Sequence, residues 1–262
     1  MSNAALHVAR TGLDAQNMRM QVIANNLANV NTTGFKRDRA SFETLAYQAM
    51  QAPGAASSES TKYATGTNLG TGVHINGTAK IDSQGSLQTT SNALDLAIEG
   101  SGYFQIQMPD GRTGYTRDGN FTLSSDGTIV NGDGYQLQPQ IQIPEGAEKI
   151  TIATDGTVSA SLPGQTESSE IGKIEIARFV NPGGLQSEGN NILTETGASG
   201  QAQTGAGDSE GRGAIRQGAL ESSNVNIVEE LVDMIETQRA YEVNSKMISA
   251  TDQMLQYANQ NI

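Results

Sequence analysis

The sequence predicts an α+β fold that is mostly β, with long N- and C-terminal helices packed as a coiled-coil-like core domain and an antiparallel β-domain in the middle. Three observations predict it. Apolar residues recur at heptad spacing at both ends, the middle alternates with period two between turn dipeptides, and the two ends carry opposite charge.

At the N-terminal end, Leu6, Ala9, Leu13, Gln16, Met20, Ile23, Leu27 and Val30 are spaced alternately by three and four, which places them on one stripe of a helix. Gly12 inside that stripe costs about 1 kcal/mol. The polar run Asn29, Asn31, Thr32, Thr33, Gly34 is a natural stop, so the helix is expected over residues 3 to 31.

The stretches 51 to 72 and 194 to 214 are rich in Ala, Ser, Thr and Gly, with little to bury, and read as extended loops. Between them lie the turn signals Pro109-Asp110-Gly111, Asp118-Gly119, Asp126-Gly127, Gly132-Asp133-Gly134, Asp155-Gly156 and Pro182-Gly183-Gly184. Tyr103-Phe104-Gln105-Ile106-Gln107 and Gln140-Ile141-Gln142-Ile143 alternate with period two, as half-buried strands do.

At the C-terminal end, Ile227, Met234, Tyr241, Ile248, Leu255 and Ile262 recur every seven residues, flanked by Val228, Leu231, Val232, Ile235, Met247 and Met254. Ser222, Ser223 and Asn224 offer caps, and Glu229, Glu230 and Asp233 suit the positive end of the helix dipole, so a helix is expected over 225 to 260. The expected domains are a terminal helical domain (1–45 and 220–262), an extended insertion (46–72) and a β-rich outer region (73–219).

Charge follows the same division. Residues 1 to 40 carry five basic and two acidic groups, residues 224 to 262 two basic and six acidic. Complementary seams and charges suit packing of the ends on each other, or on copies of each other. Terminal helices of unlike sequence present unlike surfaces, and head-to-tail contacts between unlike surfaces propagate as a filament.

The 262 residues include no cysteine, no tryptophan and only His7 and His74 as histidines. This removes disulfide scaffolds, thiol catalysis and cysteine-based zinc or iron–sulfur sites. The net charge of −12 opposes binding to nucleic acid or to an anionic membrane. No run of about 18 apolar residues is present to span a bilayer, and no cleavable signal is evident. Asp126 and Asp133 do not have EF-hand spacing, the glycine clusters lack a phosphate-loop lysine, and no hydrolytic triad can be assembled. A glycan hydrolase using Glu99 and Asp118, or an exported adhesin, are the competing classes; nothing in the sequence places that carboxylate pair at the separation such chemistry needs, and an adhesin leaves both heptad ends unexplained.

Ile23-Ala24-Asn25-Asn26-Leu27-Ala28-Asn29-Val30-Asn31-Thr32-Thr33-Gly34-Phe35-Lys36 resembles the N-terminal signature of the flagellar rod and hook proteins, and Gln238-Arg239-Ala240-Tyr241-Glu242-Val243-Asn244-Ser245-Lys246 resembles their C-terminal one. Ala97 to Phe104 and Tyr115 to Phe121 are similar to the family's β-domain, so the resemblance covers the chain from end to end. Length, Leu220 to Asn226 and the insertion after Phe42 resemble the distal-rod type of subunit, with proximal-rod and hook types as the near alternatives.

The resemblance implies a helical homopolymer forming an axial tube in the periplasm, exported by the flagellar type III apparatus and guided by a rod cap. It implies contacts with proximal rod proteins, the hook protein and the P-ring and L-ring bushing, and it brings neither enzyme activity nor cofactor. The implied assembly residues are Leu6, Leu13, Met20, Ile23, Asn25, Asn26, Leu27, Val30 and Phe35 at one end, and Ile227, Leu231, Met234, Arg239, Tyr241, Asn244, Ile248 and Leu255 at the other. Tyr47, Pro53, Gly54 and Tyr63 mark the implied rod-specific insertion, which orders against neighbouring subunits. Because isolated amphipathic helices are marginal in water, both ends are expected to fold only on assembly.

Overall fold

The computed structural model describes residues 2–54, 63–163 and 168–260. It divides into two compact units, each built from separate pieces of chain. One comprises Met1–Leu27, Asp38–Ala79 and Ile227–Ile262; the other comprises Ala28–Arg37 and Lys80–Asn226.

The first unit contains both long helices, α1 (Ser2–Ala28) and α2 (Ile227–Gln260). It also contains two strand pairs: Asp38–Thr44 with Val73–Lys80, and Tyr47–Gln51 antiparallel to Thr67–Gly70. Part of the segment expected to be loop is therefore a β-ribbon, narrowed at its tip where Gly54 N–H donates to Tyr63 O at 2.9 Å. Residues 55–62 lie outside the described part. Among the described residues, the apolar side chains buried in this unit are Ala9, Ala15 and Ile23.

The expectation of a coiled-coil-like core is overturned by how α1 and α2 meet. The face that α2 turns inward is polar: Glu230 and Thr237 are fully buried, whereas Ile227 of the expected seam and Leu231 flanking it are 47% and 44% exposed. The helices touch through Arg19 and Asp233 at 3.1 Å and through Asn26 and Glu230 at 3.3 Å. At Gly12 a β-carbon would come within 3.2 Å of Asn244 Nδ2, so the group that faces Gly12 is a polar amide. The physical reason is that α2 has apolar residues on more than one side. A buried carboxylate and amide must find partners, an apolar group only has to leave water, and so the polar groups set which face turns inward.

The second unit is β apart from the short 3-10 turn Pro182–Gly184. Its nine-stranded sheet runs Gln186–Gly189, Ile192–Thr194, Thr113–Thr116, Tyr103–Gln107, Gln136–Gln138, Ile129–Val130, Thr122–Leu123, with Glu175–Arg178 on the free half of Tyr103–Gln107 and Gln203–Ala206 beyond it. A three-stranded sheet of Lys149–Ile152, Thr157–Ser161 and Ser169–Lys173 accompanies it. The period-two alternation of Tyr103–Gln107 sorts its side chains into two clusters. Phe104 and Ile106 join Phe121, Leu137, Val158, Ile174 and Ile215 in the main core, while Tyr103 packs with Tyr115, Phe179 and Leu193 in a smaller one. Each fully buried large side chain contributes about 1.5–3 kcal/mol of transfer free energy.

The Asp-Gly pairs at 110–111, 126–127, 133–134 and 155–156 sit in turns, whereas Asp118-Gly119 lies in extended chain beside the bridge of Asn120 to Asp95. At Gly156 φ is +92° and a β-carbon would lie 2.2 Å from Ile174 O, so only glycine fits. Two further pairings bring the start and end of this unit together: Leu96–Glu99 with Ala214–Gln217, and Leu87–Thr89 with Ala219–Glu221.

Candidate assembly surfaces

Large apolar side chains left in water are concentrated in the first unit. Along α2 these include Val228, Leu231, Val232, Ile235, Val243, Met247, Met254 and Tyr257, with exposures from 44% to 72%. Successive members fall one, three, four or seven to eight residues apart and share one broad face of the helix, away from the polar face that meets α1. On the β-ribbon, Tyr47 and Met50 are each 62% exposed, Leu69 and Tyr63 42%. A lone two-stranded ribbon is marginal in water, and large exposed apolar patches mark surfaces that meet something.

The residues implied for assembly distribute as follows. Leu6, Leu13, Met20, Leu27 and Val30 are half-buried, and Ile23 is buried. Asn26 is buried and fully used: its Nδ2 donates to Asp38 O at 2.9 Å and to Glu230 Oε2, and its Oδ1 accepts from Asp38 N–H at 2.9 Å. Asn25 is exposed, with Nδ2 3.5 Å from Asp38 Oδ2. Ile227, Leu231 and Arg239 are exposed, while Met234, Tyr241, Asn244 and Ile248 are half-buried. The side chain of Leu255, and Ile262, lie outside the described residues. Tyr47, Pro53, Gly54 and Tyr63 are all exposed.

Phe35 is buried in the second unit, with Lys80 Nζ 5.3 Å above its ring. Beside it lies a cluster that motif reading did not assemble. Lys36, Arg117 and Glu221 are 4%, 4% and 2% exposed. Lys36 Nζ donates to Glu221 Oε1 at 2.7 Å and to Ser83 O at 2.8 Å, and Gly85 N–H donates to the same Oε1 at 2.9 Å. Arg117 Nε lies 3.2 Å from Glu221 Oε2, and the other guanidinium nitrogens donate to Gly102 O and Gly100 O at 2.9 and 2.8 Å.

Burial, seconded by Arg117, holds the Lys36 ammonium below the ordinary lysine range, against the opposing pull of Glu221. Burial also raises the Tyr103 phenol, and Asp82, which accepts its hydroxyl proton at 2.9 Å, acts in the same sense. Around this cluster Gly34 N–H donates to Glu221 O at 2.7 Å, and Arg37 N–H to Asn224 Oδ1 at 2.7 Å. Asn224, offered by the sequence as a helix cap, instead donates to Ile81 O and Ser83 O. Each of the three charged residues stands inside a quoted motif, but Lys36 and Glu221 are 185 positions apart, and no spacing rule joins them. Among the described residues no helix is long and apolar enough to cross a membrane, and no histidine–carboxylate cluster suits a metal ion.

Three family models match: flagella basal body rod protein over residues 6–36, the flagellar hook protein FlgE/F/G D1 domain over 97–160, and the flagellar basal body rod FlgEFG protein C-terminal region over 216–261. The chain is 50% identical to the flagellar basal-body rod protein FlgG of Buchnera aphidicola subsp. Schizaphis graminum, over 98% of each chain. It is 47% identical to FlgG of Borreliella burgdorferi over 97% of each, and 39% identical to FlgG of Bacillus subtilis over 96% of each.

Proposed function

The chain belongs to the flagellar basal-body rod protein family, and we infer that it is the distal-rod structural subunit, a building block of the drive shaft between motor and hook. The observation that carries this reading is the contrast between the units. The second unit keeps its apolar residues inside, with only Leu123 and Val180 as large exposed exceptions among the described residues. The first unit leaves the α2 stripe and the ribbon uncovered, and a helical polymer of the chain would cover both. The stripe and the ribbon differ in shape, so a contact between them is heterologous and propagates instead of closing.

In this reading the partners are further copies of the chain, proximal rod proteins below, the hook protein above and the P-ring and L-ring bushing around it. The chain reaches its place through the flagellar export apparatus, beneath a rod cap. The family is structural, and the role asks for no catalysis. The test is electron microscopy of basal bodies purified from cells whose chain carries a gold-binding tag in the exposed Glu145–Gly146 turn. Label along the outer part of the rod supports the distal assignment; label confined to the hook, or next to the motor, overturns it.

A further inference from the structure

We propose that Glu221 is a docking lock for the N-terminal signature, letting Phe35 and Lys36 seat in the second unit only once the C-terminal part of the chain has arrived. Lys36 is almost wholly buried, and its other close partner is a single neutral carbonyl, Ser83 O. An ammonium in that position without a carboxylate is strongly disfavoured, because breaking a buried pair leaves an uncompensated charge. Arg117 stands differently, since it keeps two backbone carbonyls and the Tyr103 ring, 5.8 Å from its guanidinium carbon, whatever Glu221 does. Of the two cations, Lys36 is therefore the one that depends on Glu221.

Glu221 ends the strand Ala219–Glu221, whose register places it opposite Leu87. It can reach Lys36 only after that late strand has paired with Leu87–Thr89. The same residue holds the early segment through its backbone, since its carbonyl accepts from Gly34 N–H. A chain synthesised or threaded from its N-terminus thus has Lys36 early and its counter-charge 185 residues later. Docking of the segment reports that the chain has arrived as far as Glu221.

Hydrogen exchange on the full-length chain tests this independently of any assembly into a rod. In Glu221→Gln, amides of residues 29–37 should exchange about tenfold faster or more than in the native chain, with residues 103–107 unchanged. Adding Lys36→Met should return them to near-native protection, because an uncharged side chain needs no carboxylate. Native-like protection in Glu221→Gln overturns the proposal, as does a double variant that exchanges as fast as the single one. If Glu221→Gln loosens the whole unit, the double variant still decides, with recovery supporting the lock and failure to recover refuting it.

Discussion

Asn26 Nδ2 lies 3.3 Å from Glu230 Oε2, both side chains fully buried, so the join between the ends of α1 and α2 is a polar pair. The same amide bridges the Asp38 backbone through both of its ends. Asn26→Ala removes these bonds and should cost the first unit about 2–4 kcal/mol, at about 1–3 kcal/mol per buried polar group that loses a bond. Asn25→Ala, one residue earlier and exposed, should stay within about 0.5 kcal/mol. Urea unfolding followed by helical circular dichroism separates the two, and equal losses would remove Asn26 from its special place.

The stripe on α2 should be silent in a single chain and decisive between chains. Val232→Asp with Ile235→Asp puts charge on side chains already 51% and 50% exposed, so the lone chain should change by no more than about 0.5 kcal/mol per site. Assembly should fail, because a carboxylate buried against apolar surface has no partner. Motility in soft agar and rod length in electron micrographs provide the readout. Normal rods would show that the stripe faces solvent in the polymer as well.

The plan of two helices around a β middle was legible because each element satisfies a local rule. Tyr103–Gln107 alternates, Gly156 sits where only glycine fits, and α1 stops where Asn29 and Thr32 turn the chain. How α1 and α2 meet was not legible. Heptad positions such as Met234 and Tyr241 are half-buried as expected, but the inward face is set by Glu230 and Thr237, whose need for partners is not written in apolar periodicity. Lys36, Arg117 and Glu221 were hidden for another reason. Their grouping depends on which strands pair, and pairing of Leu87–Thr89 with Ala219–Glu221 has no short-range signal.

Two carboxylates in the second unit should shape its acid stability in opposite senses. Backbone N–H of Thr157, followed by Lys173, holds Asp155 down from 3.8 to about 2, so its contribution is present above pH 3.8 and is lost as pH falls towards 2. Burial raises Asp118 above 3.8, although Thr33 hydroxyl donates to it at 2.8 Å. Its folded form binds a proton more tightly than its unfolded form, so it adds stability as pH falls through the window above 3.8. Asp155→Asn should flatten the loss of stability below pH 3.8, and Asp118→Asn should remove the gain just above it. Denaturant titrations from pH 2 to 7 read both, and parallel curves for the two variants would refute the assignment.

Gly34 tests whether the segment after α1 is held to one backbone path. Its φ is +66°, and a β-carbon there would lie 2.5 Å from the carbonyl carbon of Arg117 and 2.6 Å from Asp118 N. Gly34→Ala therefore meets a disfavoured dihedral and a backbone wall that cannot rotate aside. The dihedral alone costs about 1–2 kcal/mol, and the clash must add to it or push residues 33–35 off the second unit. Gly77 is the control, since it lies in the strand Val73–Lys80 without positive φ and with open space where a β-carbon would go. Gly77→Ala should be neutral or stabilise by about 0.4–1 kcal/mol through the unfolded chain. Stability of each variant by urea unfolding, with hydrogen exchange over residues 29–37, gives the comparison. Faster exchange in Gly34→Ala together with a native-like β core would place the strain at the docked segment, whereas equal behaviour of the two alanines would show that the segment tolerates another path.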